Sequence, residues 1–253
     1  MQIAEVPLYF NWSFWAVIVA LIAVILSQIP PIKHLIKKAK LEIEAYSKIS
    51  ITHKLGNPNL QLHLILTNIG GRNVRIKDIS VSLSRDNKPL TTMPAFNYLK
   101  NQNDQNNLLF TTFSLTPNQE WAHITNFLNL YDREDEKRYQ VIEGGMISDY
   151  RKNAKELESN DKGHEIEHPK ELIDKAFEFF NSKFIWESGE YKMKIIVKTA
   201  NDIANVTKEY RFTIFETHTE QLKAITEHFK LGGGIWFDPS RLPQSVILPI
   251  TEA

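Results

Sequence analysis

The sequence predicts a mainly β, α+β fold: an antiparallel β-sandwich with a helical insertion, set behind a single N-terminal transmembrane helix. Three observations predict it. One long uncharged apolar run lies near the N-terminus. A series of short alternating segments, separated by turn signals, fills the stretch that follows. A highly charged, helix-patterned block interrupts that series.

Val6 to Ile32 contains no charged residue and is rich in Val, Ile, Leu, Ala and aromatics. About 20 helical residues span the hydrocarbon core of a bilayer, so the run reads as a transmembrane helix, with 1–32 as tail plus span. Trp12 and Trp15 sit where an interfacial aromatic belt belongs. Lys33, Lys37, Lys38 and Lys40 follow at once in a basic juxtamembrane segment, 33–40. Basic flanks stay on the cytoplasmic side, which predicts a single-pass protein with its N-terminus outside and its large domain cytoplasmic. The only charge before the run is Glu5, unlike the basic start of a cleaved signal peptide.

From residue 41 the pattern changes to period two. Leu41 to Tyr46 and Ile49 to Thr52 alternate, and Gly56-Asn57-Pro58-Asn59 is a turn signal. Leu60, Leu62, Leu64 and Leu66 then share one face of a strand. After Asn68-Ile69-Gly70-Gly71, the apolar set Val74, Ile76, Ile79, Val81, Leu83 slips by one residue at Lys77-Asp78, the mark of a bulge. Asp86 to Pro89 turns again. Asn97 to Asn107 is polar and reads as a long exposed loop, Leu108 to Leu115 as one strand, and Trp121 to Leu130 as another.

The block 132–184 reads as an insertion. Residues 132–174 carry 13 acidic and 8 basic side chains. Tyr139, Ile142, Met146 and Tyr150 recur at helical spacing, and a clearer helix starts at Pro169, with Ile173, Ala176, Phe177, Phe180 and Phe184 as its stripe. Strands resume: Tyr191, Met193, Ile195 and Val197 pair by pattern with Val206 to Ile214, which completes a sandwich over 41–216. In the C-terminal part, 217–253, Thr217 with Glu220 suggests a capping box, Gly232-Gly233-Gly234 stops the helix, and the proline-bearing tail reads as irregular.

Trp186-Glu187-Ser188-Gly189-Glu190-Tyr191, running into Val197, resembles the entry to a late strand of immunoglobulin-like domains. Leu64 to Gly70 with Ile76 and Ile79 resembles an early hairpin of the same superfamily. The resemblance implies an immunoglobulin-like β-sandwich and no particular function.

Composition and motifs bound the chemistry. Thirty basic and thirty acidic side chains give zero net charge, so no nucleic-acid partner is expected. Absence of cysteine removes disulfides, thiolate metal sites and cysteine nucleophiles. His164-Glu165-Ile166-Glu167-His168 matches a zinc-peptidase pattern, but that chemistry needs both histidines on one face of a helix. Pro169 disfavours helix at His168, so His164, Glu167 and His168 read as a solvated charged loop, with no metal and no cofactor expected. The glycines at 232–234 follow a helix rather than precede one, unlike a phosphate loop. The reading that results is a membrane-anchored, non-enzymatic interaction module, with the lipid bilayer and a protein as its partners. The alternatives are a metal-dependent hydrolase using His164 to His168, or an extracytoplasmic ligand sensor if the topology is reversed.

Overall fold

The structure is a computed structural model that describes residues 12–36, 38–100, 106–157, 166–237, 239 and 245–253. Among the described residues, eleven strands lie in one nearly closed, barrel-like antiparallel sheet: β1 (Leu41–Lys54), β2 (Asn57–Asn68), β3 (Val74–Arg85), β4 (Lys88–Leu99), β5 (Leu108–Leu109), β6 (Phe113–Leu115), β7 (Glu120–Leu128), β8 (Gly189–Thr199), β9 (Val206–Ile214), β10 (Val246–Pro249) and β11 (Thr251–Glu252). The order around the ring is β10-β1-β2-β7-β4-β3-β8-β9-β11, with β5 on β4 and β6 on β3.

Two corners make the ring. The first is β4, twelve residues long. Its first half pairs with β3, Val81 opposite Met93, and its second half pairs with β7, Tyr98 opposite Thr125. A register irregularity between Ala95 and Asn97 turns the strand from one set of partners to the other. The second corner is the C-terminal segment. β10 pairs with β1, Leu248 opposite Ile49, and β11 pairs with β9, Thr251 opposite Arg211. Only Ile250 separates them, and its amide donates to the Ser47 carbonyl at 2.9 Å. The segment read as an irregular tail is therefore the strand that closes the barrel.

The fold thus differs from an immunoglobulin-like sandwich. A sandwich packs two sheets face to face, whereas here strands that change partners join the two halves into a barrel-like ring. The expected single strand from Leu108 to Leu115 is two short ones on different partners, and β4 occupies part of the stretch read as loop. The bulge expected at Lys77-Asp78 is present, as a register shift against β8 between Ile76 and Asp78. The hairpin of β8 and β9 also forms as the alternation indicates, with Tyr191 opposite Phe212.

Alternation sends one face of each strand inward. Leu60, Leu62, Leu64 and Leu66 of β2, Ile79, Val81 and Leu83 of β3, and Tyr191, Met193, Ile195 and Val197 of β8 are all buried in one core. Each such side chain contributes about 1.5–3 kcal/mol.

The N-terminal helix requires a larger correction. α1 spans Trp12–Ile36, yet among the described residues no helix is long and apolar enough to cross a membrane. The transmembrane helix, the single-pass anchor, the outside N-terminus and the cytoplasmic placement of the domain are overturned together. Trp12 and Trp15 are exposed side chains of α1. Lys33 lies in the last turn of α1, and Lys37 lies outside the described residues. Lys38 and Lys40 serve the fold through their backbones: their carbonyls accept from the amides of Gly71 and Gly70 at 3.2 and 3.1 Å.

A helical cap covers one end of the barrel. α2 (Arg133–Leu157) and α3 (Lys170–Lys183) pack with α4 (Glu216–Lys223) and a 3-10 segment, Ala224–Leu231. Their core is separate from that of the barrel: Tyr139, Ile142 and Met146 of α2 meet Ala176, Phe179 and Phe180 of α3, with Leu55, Phe229 and Ile235. The inner face of α2 is the one its helical spacing indicates, Tyr139, Ile142 and Met146, whereas in α3 the inner face is rotated from the expected stripe. Phe179 is buried, whereas Phe177 is 37% exposed. The capping box expected at Thr217 and Glu220 does not form. Instead α4 starts after Phe215, whose amide donates to His218 Nδ1 at 3.3 Å.

Candidate functional site

The cap is fastened to the barrel at the β1–β2 turn. Gly56 has φ +85°, and a Cβ there would lie 2.5 Å from the Phe180 carbonyl oxygen, so this turn requires glycine. Beside it, His53 Nδ1 accepts from the Gly56 amide at 3.1 Å and Nε2 donates to the Leu222 carbonyl at 2.9 Å. Burial lowers the His53 pKa, and the Leu222 bond opposes that shift. Its ring lies edge-on to Phe180 and Phe184 at 5.3 and 5.4 Å. Trp186, fully buried, donates its indole N–H to the Thr52 carbonyl at 2.7 Å. The Tyr191 hydroxyl bonds the Ile185 and Glu187 carbonyls, and its pKa is pushed up to about 12, chiefly by burial. Each of these buried polar groups is satisfied within the fold, the usual sign of a structural rather than a reactive group.

The residues of the zinc-peptidase pattern go different ways. His164 lies outside the described residues. Glu167 points outward and pairs with Lys230 at 2.8 Å. The His168 side chain is buried, with Nδ1 2.8 Å from Asp149 Oδ2, so Nδ1 carries the proton that the carboxylate accepts. The His168 amide donates to the Lys230 carbonyl. Among the described residues no group of three His, Asp or Glu is placed to hold a metal ion.

His168 instead belongs to a buried node in the cap. A Cβ at Gly232, where φ is +84°, would lie 1.9 Å from Trp236 Nε1 and 3.0 Å from His168 Nε2. The two nitrogens are therefore no more than about 4.9 Å apart, by the triangle inequality from those distances. Both are buried and without a hydrogen-bond partner among the described residues. Gly232 ends the 3-10 segment as expected, and the node adds a second reason for glycine there. Asp149 from α2, His168 before α3, and Trp236 after the turn meet at this point, so the node ties three parts of the cap together.

Outside these structural ties, the cap carries a groove between α2 and α3 of about 550 Å³. Val141, 51% exposed, and the buried Ile142 form its apolar floor, with Lys137, Arg138, Lys175, Glu134 and Glu178 around it. Part of this rim is committed already: Lys175 pairs with Glu171 at 2.6 Å, and Arg138 stands 5.3 Å over the Phe179 ring. The sequence left the insertion equally a solvated helical excursion or a docking surface for a partner, and no local pattern marked the groove. The signal within reach was Val141, an apolar residue one position from the Tyr139-Ile142-Met146 face.

A second hollow lies against the barrel where β1, β2, β7 and the end of β4 meet. It is about 490 Å³ and is lined by Tyr46, His63, Lys100, His123, Leu99 and Ile124, among others. His123 stacks on Tyr98 at 4.9 Å and meets Trp121 edge-on at 4.8 Å.

Comparison with known protein families, with curated proteins and with solved structures finds no match in any of the three.

Proposed function

We propose that the chain is a non-enzymatic interaction module, in which the barrel is a rigid mount and the helical cap takes a protein partner. The observation that carries this reading is the α2–α3 groove, with exposed Val141 on its floor and charges of both signs around it. Two neighbouring helices offer ridges and grooves into which a third can pack. The occupant that suits the groove is an amphipathic helix of a partner, its apolar stripe on Val141 and its charged flanks against Lys137 and Glu178. The rim charges set orientation and register more than affinity.

A photo-cross-linking residue placed at Val141, in the full chain and in cells, tests this reading against the same residue placed at Ile203, an exposed position on the 3-10 turn Asp202–Ala204. The expected result is one adduct of defined mass from position 141 only, lost when Lys137→Glu and Lys175→Glu are added. Equal adducts from both positions, or none from 141, would overturn the docking face. Turnover of any substrate by the purified chain in a broad hydrolase screen would overturn its non-enzymatic character.

A further inference from the structure

The hollow on the barrel differs from the cap groove in its charge. The groove has Glu134 and Glu178 on its rim, whereas among the described residues no carboxylate lines the hollow. Three groups that are or can become cationic converge there from three places in the chain: His63 on β2, His123 on β7, and Lys100 just after β4. Tyr46 adds a phenol at the irregular part of β1, where the register shifts between Ala45 and Ile49. Leu99, Ala122 and Ile124 supply apolar wall. The outer face also carries Glu44, opposite Ile65, and Glu120, opposite Thr67, and neither lines the hollow.

We propose that this hollow is a binding site for a small phosphate-bearing ligand with a flat apolar body. Its volume lies within the range of small-molecule sites. The ligand is set by what the walls offer: the Lys100 ammonium, the exposed His63 imidazole and the Tyr46 phenol as donors for an anionic oxygen group, with His123, whose Nδ1 is buried, contributing through its charge, and aromatic and aliphatic surface for the rest. A phosphate dianion satisfies several convergent donors at once, where a single carboxylate satisfies fewer.

The electrostatics agree with the geometry. The His123 pKa is lowered first by burial, and the charges of His63 and Lys100 lower it further, against a backbone bond to Lys100 that raises it. The cationic groups therefore repel one another across the hollow. A bound anion relieves that repulsion and favours the imidazolium, so binding takes up protons and tightens as the pH falls.

The test is calorimetry and amide chemical-shift mapping on the full chain with four probes: phenyl phosphate, inorganic phosphate, benzoate and benzylamine. Phenyl phosphate is expected to bind saturably and to shift amides of Tyr46, His63, Lys100 and His123. Inorganic phosphate should bind more weakly and benzylamine not at all. Affinity for phenyl phosphate should rise as the pH drops from 8 to 6. His63→Gln with Lys100→Gln changes two exposed side chains, so the fold is retained; it should weaken binding about tenfold or more, the loss of one or two charge-assisted hydrogen bonds. Absence of saturable binding at 10 mM probe overturns the proposal, as does an affinity unchanged in the double variant. Benzylamine binding as well as phenyl phosphate overturns the anion assignment, and benzoate binding more tightly overturns the phosphate class.

Discussion

The barrel and the cap each bury a contiguous apolar cluster, and they hold it in different ways. In the barrel the cluster is lined by strand alternation and enclosed by backbone ladders, so few of its inward side chains need a polar partner. In the cap, aromatic rings do most of the filling: Tyr131 stacks on Tyr139 at 5.5 Å, and Phe180 meets Phe229 at 5.8 Å. The cap also depends on side-chain polar ties, His168 to Asp149, Tyr139 to Glu143, and Lys183 to Asp135. A sheet satisfies its polar backbone through neighbouring strands, and near-closure leaves only the short strands β10 and β11 as the ends of the sheet, with one partner each. A few short helices and a turn lack that closure and need specific contacts to fix their arrangement. Stability in the barrel should therefore hinge on closure, and stability in the cap on individual side chains.

The largest effect expected tests closure. Ending the chain after Ser245 removes β10, β11 and the buried Val246, Leu248 and Ile250. At roughly 1.5–3 kcal/mol for each side chain, before the lost ladder, the change is on the order of 5 kcal/mol or more. Circular dichroism should show loss of the cooperative melt. An unchanged Tm would mean that the ring does not need its closing strand, and the comparison would fail.

Phe180→Asp probes the cap from its centre. It removes a ring packed against His53, Phe184 and Phe229 and buries a carboxylate without a partner, for an expected cost of about 4 kcal/mol or more. Because Phe180 also contacts the β1–β2 turn, the whole domain should melt earlier in one transition. If instead helical signal is lost while the sheet melts at its original temperature, the cap is a separate unit and the junction carries little coupling.

The junction histidine sharpens the coupling through pH. The His53 pKa is depressed in the folded protein, so between that value and about 6.5 the unfolded chain binds a proton that the native chain refuses. The His53 contribution to stability is therefore full above about pH 6.5 and declines as the pH falls toward the folded value. Urea melts from pH 7.5 to 5 should show that decline, and His53→Gln should flatten its slope while lowering stability throughout. An unchanged slope would assign the acid sensitivity to other groups, such as His123.

The smallest effect compares two adjacent glycines of α2. A Cβ at Gly144 would meet nothing within 4 Å, whereas one at Gly145 would lie 2.9 Å from Leu172 Cδ2. Gly144→Ala should stabilise the cap by about 0.5–1 kcal/mol through helix propensity. Gly145→Ala should give less, since Leu172 must move. Equal gains in Tm would show that the α2–α3 contact is looser than the rest of the cap.

Much of the site-bearing fold was legible residue by residue, and the missed parts share a cause. β4 escaped notice because Leu90 falls out of step with Met93 and Ala95 where the register against β3 shifts. The closing strand was hidden by its brevity and by Pro249, which is tolerated there because β10 has a partner on only one side. His168 was read as solvated from its charged neighbours, yet in an extended segment adjacent residues face opposite ways, so Glu167 meets solvent while His168 turns inward to Asp149. The groove at Val141 and the hollow at His63 and His123 bring together residues from separate elements, and no local pattern records such a meeting.

The sequence by itself determined the elements governed by neighbours in the chain: the alternation of β2, β8 and β9, the bulge at Lys77-Asp78, the turn at Gly56 and the helix stop at Gly232. These follow from covalent geometry, which sets a period of two for strands, 3.6 for helices and positive φ for glycine. Only the tertiary structure decided that the strands close into a ring, that α3 buries Phe179 rather than Phe177, and that His168 pairs with Asp149. Those outcomes depend on which surfaces far apart in sequence exclude water together, and that choice is made by packing across the whole chain rather than within any segment of it.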